Sequence, residues 1–432
     1  MAVVPSARFQ PGNYFKSKYL HIVKSDEENA WLFYQLLTGQ LYRLDADEKA
    51  LFDDFMNLNP GSEAFESFVQ RGLLVDYDEL ESLKTKHLRC SEEIFNLMIC
   101  PTLSCNFDCI YCTETGNKRE GLMTAAVMEG VFNYVERNLK SGSFKTLRME
   151  WFGGEPLLGI HIIEKLGGRI KALCDDLKVE LETRIITNGY LLNQKAVDIL
   201  EAQGLDFIEI TVDGPKEIHD TLRTLKGGSG TYERIIHNME NIRTRAEIRV
   251  NCILSKINKE YFGEVVKIIE DIKRKTGNHI YVIAERMMLT AGNWEYVRDK
   301  VIGYEEYCRL FAEGGGLSVS DMKPKKWRCT GVLKNSFSID ERGNVYKCNA
   351  FLGMDEHIVF TVFDEKIRNQ KEIDYFLDRS FPGRAECLAC KLLPVCMGLC
   401  PLDSENNAVC HRLKNYLDAY VRNLAREQLR KR

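Results

Sequence analysis

Three cysteines in one short stretch are the residues of this chain best suited to metal chemistry. Cys105, Cys109 and Cys112 are separated by three and then by two residues, so one tight loop carries all three thiols. Iron–sulfur clusters are normally held by four cysteine thiolates. Three thiolates can bind three irons of a [4Fe–4S] cube and leave the fourth iron for a ligand that is not protein. The spacing therefore predicts a cluster with one open iron.

Polar turns farther along the chain could complete such a site. A Gly-Gly-Glu-Pro turn at 153–156 follows a predicted strand, and paired glycines let backbone approach a ligand closely. Thr187-Asn188 and Asp213 end two later predicted strands. Arg223 comes next, and a guanidinium can bind a carboxylate through two parallel hydrogen bonds. Each of the three turns is ordinary in isolation. We nevertheless expect them to meet at one rim of a sheet.

A second group of cysteines occupies the C-terminal part of the chain, where seven of the fifteen cysteines occur. A zinc ribbon would use Cys387, Cys390 and one other close pair, but it would leave several thiolates over. Metal clusters would also stabilise a segment with little regular periodicity. The candidate ligands are Cys329, Cys348, Cys387, Cys390, Cys396, Cys400 and Cys410.

Composition limits the class of protein and its compartment. The N-terminus lacks the apolar core of a secretory signal, and no apolar run is long enough to cross a membrane, so we expect a cytoplasmic protein. Disulfides are rare in that compartment, which favours metal binding by cysteine. The net charge of −4 gives no reason to expect nucleic acid or a membrane surface. The other cysteines, expected to be small buried hydrophobic residues, are Cys90, Cys100, Cys174, Cys252 and Cys308.

The length of 432 residues predicts two or three domains. Residues 1–90 combine predicted strands with two helices in a winged-helix-like module, the first helix opening with a capping box from Asp45 to Glu48. The module carries ten Lys and Arg against fourteen Asp and Glu, which disfavours duplex DNA binding. Residues 91–315 alternate strands and helices, and residues 316–432 contain the second cysteine group.

The alternating segment predicts an α/β fold, a partial (β/α)6 TIM-like barrel in which ligands bind at the C-terminal ends of parallel strands. The cysteine triplet follows the first strand and so lies at that end. The predicted strands are Ile94–Cys100, Thr146–Phe152, Leu181–Thr187, Phe207–Val212, Glu247–Leu254 and His279–Ala284. Predicted helices lie near 124–139, 160–177, 193–203, 231–244, 259–275 and 304–312.

The cysteine triplet followed by the Gly-Gly-Glu-Pro turn resembles the radical S-adenosylmethionine (SAM) enzymes. The resemblance implies that a [4Fe–4S] cluster at the triplet chelates SAM through its open iron. It further implies that Glu155 and the backbone of its turn bind the SAM amino group, and that Arg223 pairs with the SAM carboxylate. The implied cofactor-binding residues are Tyr111, Gly153, Gly154, Glu155, Pro156, Thr187, Asn188, Asp213 and Arg223.

The C-terminal array resembles the SPASM domain, which carries two auxiliary [4Fe–4S] clusters, giving three clusters in all. The resemblance implies an outer cluster on Cys387, Cys390, Cys396 and Cys410 and an inner cluster on Cys329, Cys348 and Cys400. The inner cluster lacks an obvious fourth ligand. Either a distant residue such as Cys308 completes it, or one iron is open and could bind a substrate thiolate.

The resemblance implies a radical SAM peptide maturase. Residues 1–90 would bind the leader of a ribosomally made precursor peptide by strand addition, and a flavodoxin or ferredoxin would supply electrons. We expect a thioether crosslink, with carbon–carbon or carbon–oxygen crosslinking as the alternative. Formylglycine formation, as in sulfatase maturases, is disfavoured because Asn349 stands where those enzymes carry a catalytic Asp, and an amide cannot accept the proton. A non-catalytic iron–sulfur electron carrier would not cleave SAM.

Overall fold

The computed structural model describes residues 12–429, apart from 27–28, 290–292, 304–305, 308–309, 311–322, 326–328, 365, 399, 403–416 and 427. The chain forms two compact units. The first comprises the ranges 1–90, 311–329 and 379–432, and the second comprises 91–310 and 330–378. Within the described residues, no helix combines the length and the apolar character that crossing a membrane requires.

The N-terminal part of the first unit is a three-stranded antiparallel sheet packed on helices. Residues 14–23 do not form one continuous strand. Phe15–Lys16 pair with a strand near residue 75, and only the later residues join the three-stranded sheet. The predicted capping box at Asp45 and Glu48 is confirmed. The strands are β1 Phe15–Lys16, β2 Leu20–Lys24, β3 Ala30–Gln35, β4 Gln40–Asp45 and β5 Leu74–Val75. The helices are α1 Ala46–Asp53, α2 Glu63–Gln70 and α3 Glu79–Glu93.

Six parallel strands, joined by helices and paired in chain order, form the centre of the second unit. Each lies within two residues of its predicted position. This large, mostly parallel sheet confirms the α/β class. The six strands are β6 Ile94–Ile99, β8 Thr146–Trp151, β9 Glu180–Thr187, β10 Leu205–Thr211, β12 Glu247–Leu254 and β13 Ile280–Arg286. The helices are α4 Ala125–Ser141, α5 Ile160–Ile162, α6 Gly168–Leu177, α7 Gln194–Glu201, α8 Lys216–Leu222, α9 Tyr232–Asn241, α10 Phe262–Thr276, α11 Trp294–Val297 and α12 Gln370–Leu377. The helix predicted near 304–312 falls largely outside the described residues.

The sheet continues beyond β6 through three short strands that periodicity does not predict. Strand β14 (Ser336–Ile339) pairs in parallel with β6, and β15 (Asn344–Tyr346) and β16 (Ile358–Thr361) follow in antiparallel order. The side-chain amide of Asn96 on β6 donates to Ser336 Oγ at 3.0 Å. Residues 330–378 therefore belong to the same compact unit as the parallel sheet. A separate two-stranded antiparallel sheet pairs β7 (Phe107–Cys109) with β11 (Arg223–Leu225).

The C-terminal part of the first unit packs against the N-terminal sheet. Residues 417–426 are helical, and Asp418 Oδ1 lies 2.7 Å from His21 Nε2 on β2. On the opposite edge of the same imidazole, Lys391 Nζ lies 2.8 Å from His21 Nδ1. Lys391 connects α13 (Ala385–Leu388) and α14 (Leu393–Cys396), the two short helices that carry part of the second cysteine group. His21 thus joins strand β2 to both C-terminal segments.

Candidate cofactor site

The cysteine triplet lies on the loop that follows β6, which includes the short strand β7. Cys105 is buried, and Cys109 and Cys112 are partly buried. The loop is held by its own backbone: Phe107 N–H donates to Cys105 Sγ at 3.3 Å and Cys112 N–H donates to Cys109 O at 3.2 Å. Burial raises the pKa of Cys105 to about 12. Because metal ligation requires thiolates, cluster assembly at this loop must release protons.

The paired glycines pack against the stem of that loop. A Cβ on Gly154 would lie 2.4 Å from Ser104 O, and one on Gly153 would lie 2.1 Å from Thr102 O. Glu155 N–H donates to Ser104 O at 2.9 Å. The sequence indicated close approach to a ligand, but the nearest neighbours of both glycines are backbone carbonyls of the cysteine loop. The lack of a side chain at these two positions therefore lets the glycine turn pack directly against the cysteine loop.

Replacing Gly154 with alanine is expected to destabilise the protein by about 1–3 kcal/mol, because the new methyl group overlaps backbone that cannot rotate away. Gly154 has no positive φ, so the effect is steric. Urea unfolding measures it. Gly263→Ala on α10 is the control: nothing lies within 4 Å of its Cβ position, and alanine there should be neutral or slightly stabilising. Equal stability of the two variants would contradict the packing described for Gly154.

Glu155 connects the glycine turn to the end of β9. Its buried carboxylate accepts from Leu157 N–H at 3.0 Å, from Thr187 Oγ1 at 2.8 Å and from Asn188 N–H at 2.7 Å. Burial raises the pKa of Glu155, and these donors oppose the shift. Pro156 opens the short 3-10 turn after it. The amide of Asn188 reaches the cysteine loop, with Nδ2 3.9 Å from Cys105 Sγ.

Tyr111, Asp213 and Arg223 form a buried group on the other side of the loop. The Tyr111 hydroxyl donates to Asp213 Oδ2 and accepts from Arg223 Nη1 at 2.7 Å. Arg223 Nη1 lies 4.0 Å from Asp213 Oδ2, and Ile253 N–H donates to Asp213 Oδ1 at 2.7 Å. Arg223 Nε is buried and has no hydrogen-bond partner in the described part of the chain. An unsatisfied buried donor is costly, so this guanidinium is suited to an anionic ligand.

Four side chains that the sequence did not single out for cofactor binding support this group. Thr231 Oγ1 donates to Arg223 O at 2.6 Å, and Asn258 Nδ2 donates to Asp213 O at 2.9 Å. Asn293 Nδ2 donates to Tyr111 O at 2.9 Å. Burial, with Arg223 adding to it, lowers the pKa of His219 to about 3; its neutral ring spans from the Asp213 backbone N–H to Thr231. Asparagine and threonine are common in turns, so no sequence signal marks them.

Lys118 is a further residue of the site that its position in the sequence does not reveal. Its Nζ lies 3.4 Å from Phe107 O, inside the cysteine loop. Burial opposes its charge, but the three thiols of the triplet together raise the pKa of Lys118. Within the described residues it has no carboxylate partner within ion-pair distance, whereas its neighbour Arg119 pairs with Asp340 and with Glu341.

The residues of the site fit an iron–sulfur cluster with an anionic ligand beside it. Among the described residues, no three His, Cys, Asp or Glu side chains converge on a point that would hold a single metal ion. A cubane does not require this, because each thiolate binds a different iron. Three thiols on one loop, a second turn packed against that loop, and the unsatisfied Nε of Arg223 suit a cluster together with a carboxylate-bearing ligand.

The second cysteine group is distributed over both units. Cys348 follows β15 in the second unit and is buried. Next to it, the buried ammonium of Lys347 donates to Ser336 O at 3.1 Å and to Lys334 O at 3.2 Å. Three of the described candidate ligands in the first unit are partly buried close to α13 and α14, namely Cys387, Cys390 and Cys396. Cys329 is also partly buried and Cys400 is exposed, whereas Cys308 and Cys410 lie outside the described residues.

The cysteines expected to be plain buried residues follow that expectation in part. Cys100, Cys174 and Cys252 are buried, and Cys90 is only partly buried. Burial raises the pKa of Cys252 well above its ordinary value. Cys174 lies on α6 and is distant in sequence from the cysteine loop, so it provides a control for variants of the triplet.

Part of the chain matches a known protein family, and several known proteins resemble the chain over most of its length. Residues 99–272 match the family model described as Radical SAM superfamily. The radical SAM cyclopropyl synthase TigE of Paramaledivibacter caminithermalis is 22% identical over 94% of this chain and 93% of its own. A cysteine-type anaerobic sulfatase-maturating enzyme of Clostridium novyi is 23% identical over 76% of this chain and 96% of its own. The solved structure of anSMEcpe with bound AdoMet and Cp18Cys peptide has a TM-score of 0.55 at 19% identity, covering 77% of this chain and 99% of that one. The shared fold is the α/β fold of radical SAM enzymes.

Proposed function

We propose that the chain, a radical SAM superfamily enzyme, modifies a side chain of a ribosomally made precursor peptide. The observation that carries the proposal is the joining of the cysteine loop, the Glu155 turn and the Arg223 group at one end of the parallel sheet. SAM-binding and peptide-binding relatives of the same fold support it: anSMEcpe binds AdoMet and a peptide. When bound, a reduced [4Fe–4S] cluster cleaves SAM and supplies a 5′-deoxyadenosyl radical that removes hydrogen from carbon.

The residues of the chain have distinct tasks in this proposal. Cys105, Cys109 and Cys112 hold the cluster. Arg223, oriented by Asp213 and by the Tyr111 hydroxyl, binds the SAM carboxylate, and its Nε provides the second donor of a bidentate contact. The backbone at 153–155 and Asn188 bind the SAM amino end. The protein thereby orients the reactants and excludes side reactions, while the cofactor supplies the difficult chemistry.

The peptide is proposed to bind first through the N-terminal sheet. In the described residues, β2 and β4 each pair on one side only, so either edge can accept an extended leader peptide through main-chain hydrogen bonds. The second cysteine group is proposed to hold two auxiliary clusters, which would supply one-electron acceptors. A position of the inner cluster without a protein ligand would suit a substrate thiolate, and this favours a thioether over a carbon–carbon or carbon–oxygen crosslink.

The test is anaerobic co-expression with a candidate precursor peptide, followed by high-resolution mass spectrometry. A thioether is expected to remove a pair of hydrogens per crosslink and to make one cysteine resistant to alkylation. The same mass loss with every cysteine still alkylated would indicate a carbon–carbon or carbon–oxygen crosslink. An unmodified peptide, with SAM cleavage intact, would contradict the assignment of that peptide as substrate.

Formylglycine formation is the second candidate, favoured by the Clostridium novyi relative. Asn349 argues against it: the side chain is exposed at the start of the 3-10 turn after Cys348, and an amide cannot act as the base. Incubating the enzyme with a cysteine-containing sulfatase peptide separates the two candidates. An aldehyde product, trapped with a hydrazine probe, would establish formylglycine formation and contradict crosslinking as the main activity.

A further inference from the structure

We propose that the Lys118 ammonium stabilises the reduced form of the cluster at the cysteine triplet, and so sets how easily that cluster accepts an electron. The inference rests on the proposed function, because it requires a cluster on Cys105, Cys109 and Cys112. It adds a residue that lies outside the cysteine motif and outside the Glu155 turn and the Arg223 group.

The position of Lys118 is the first argument. Its Nζ lies 3.4 Å from Phe107 O, and Phe107 lies between Cys105 and Cys109 on the loop. The thiols of Cys112, Cys105 and Cys109 all act to raise the pKa of this ammonium. A cluster bound by these three thiolates must therefore lie beside this charge.

The lack of a carboxylate within ion-pair distance among the described residues is the second, independent argument. Arg119 is neutralised by Asp340 and Glu341, and Arg223 lies 4.0 Å from Asp213. Lys118 forms no such ion pair anywhere in the described part of the chain. The buried Glu114 carboxyl interacts with the Lys118 charge, but burial raises the pKa of Glu114 to about 7, so this carboxyl offsets the charge only in part. In a partly buried position the charge is screened less than at the surface.

The chemical step is a one-electron reduction. A low-potential one-electron donor is oxidised and the cluster core gains the electron, with no bond made or broken. The added electron makes the cluster more negative, so a fixed positive charge beside it stabilises the reduced form more than the oxidised form. Net charge is a known determinant of cluster potential, and Lys118 supplies a positive charge.

The test compares Lys118→Met, Lys118→Arg and Lys226→Met in the full chain, reconstituted anaerobically with iron and sulfide. Lys226 follows β11, its backbone N–H donates to Asn106 O at 2.8 Å, and its side chain is exposed. It is therefore a matched control next to β11, the strand that pairs with β7 of the cysteine loop. Dithionite titration monitored by electron paramagnetic resonance gives the potential, and the signal that changes on adding SAM identifies the cluster with the open iron.

Lys118→Met is expected to lower the reduced fraction at a fixed potential about tenfold, a shift of about 59 mV for a one-electron couple. Lys118→Arg and Lys226→Met should stay within about twofold of the parent protein. An unchanged potential in Lys118→Met with full iron content would overturn the proposal, as would an equal shift in Lys118→Arg. If Lys118→Met binds no cluster, a cluster retained by Lys118→Arg would support the need for the charge. Loss of the cluster in both variants would overturn the proposal. A parent protein without any SAM-sensitive signal would overturn the proposed function itself.

Discussion

Replacing Cys112 with alanine is expected to abolish reductive cleavage of SAM and to remove about four irons per chain. Cys112 closes the loop through its N–H bond to Cys109 O and provides one of three thiolates, so no neighbouring thiolate can replace it. Even the outer partners of metal ligands are worth about 10–100-fold in affinity or activity, so loss of a ligand should exceed about a hundredfold. Anaerobic assays of 5′-deoxyadenosine and iron analysis measure both effects.

The matched control for that variant is Cys174→Ala. Cys174 is buried on α6, and its replacement removes a thiol without touching the cysteine loop. It should leave SAM cleavage within about twofold of the parent protein. If Cys112→Ala still forms 5′-deoxyadenosine from SAM, the assignment of the triplet as the SAM-cleaving site is wrong. If Cys174→Ala also loses the activity, the loss in Cys112→Ala does not identify a ligand.

Replacing Asp213 with asparagine is expected to cost about 3–5 kcal/mol of stability and to remove SAM binding. Asp213 is fully buried, and burial raises the pKa of its carboxyl. The Tyr111 hydroxyl and Ile253 N–H, which donate to it, and the charge of Arg223 at 4.0 Å oppose that shift. Asparagine would leave the guanidinium buried without an opposite charge, which is the costly way to break a buried pair. Chemical denaturation measures the stability, and calorimetry of SAM binding to the reconstituted protein measures the affinity.

Two further variants separate charge from packing at this position. Glu136→Gln breaks the exposed ion pair with Lys140 on α4 and should cost no more than about 0.5 kcal/mol. The double variant Asp213→Asn with Arg223→Met carries no buried charge, so it should be more stable than Asp213→Asn, although neither protein should bind SAM. If the loss of stability in the double variant equals the sum of the losses in the two single variants, Asp213 and Arg223 are not energetically coupled.

The parallel sheet could be predicted closely because its signals are local. Each strand is a short run rich in β-branched and apolar residues, and an amphipathic helix follows it; β12 (Glu247–Leu254) coincides with its predicted bounds. Strand β14 could not be found in this way. It is a four-residue Ser-Phe-Ser-Ile segment whose partner, β6, is distant in sequence, and local periodicity carries no information about such a partner.

The candidate site, like the sheet, has residues that the sequence identifies and contacts that it does not predict. Cys105 and its two partners, the paired glycines and Arg223 are identified by residue type and spacing. Their supporting contacts depend on the folded chain: Glu155 receives donors from Thr187 and Asn188 only because β8 and β9 are neighbours. The path of the chain after Cys112 brings Lys118 beside the cysteine loop, and sequence spacing does not predict that path.

The pairing of β14 with β6 has a consequence for how the protein is made. Asn96 and Ser336, which meet across that pair, are separated by 240 residues. At roughly 5–20 residues per second, a ribosome needs about 12–48 s to synthesise that stretch. During this interval one edge of β6 has no partner strand from its own chain. An unpaired, apolar edge is a template for pairing with other chains, so each newly made molecule passes through a period in which aggregation competes with completion of the sheet.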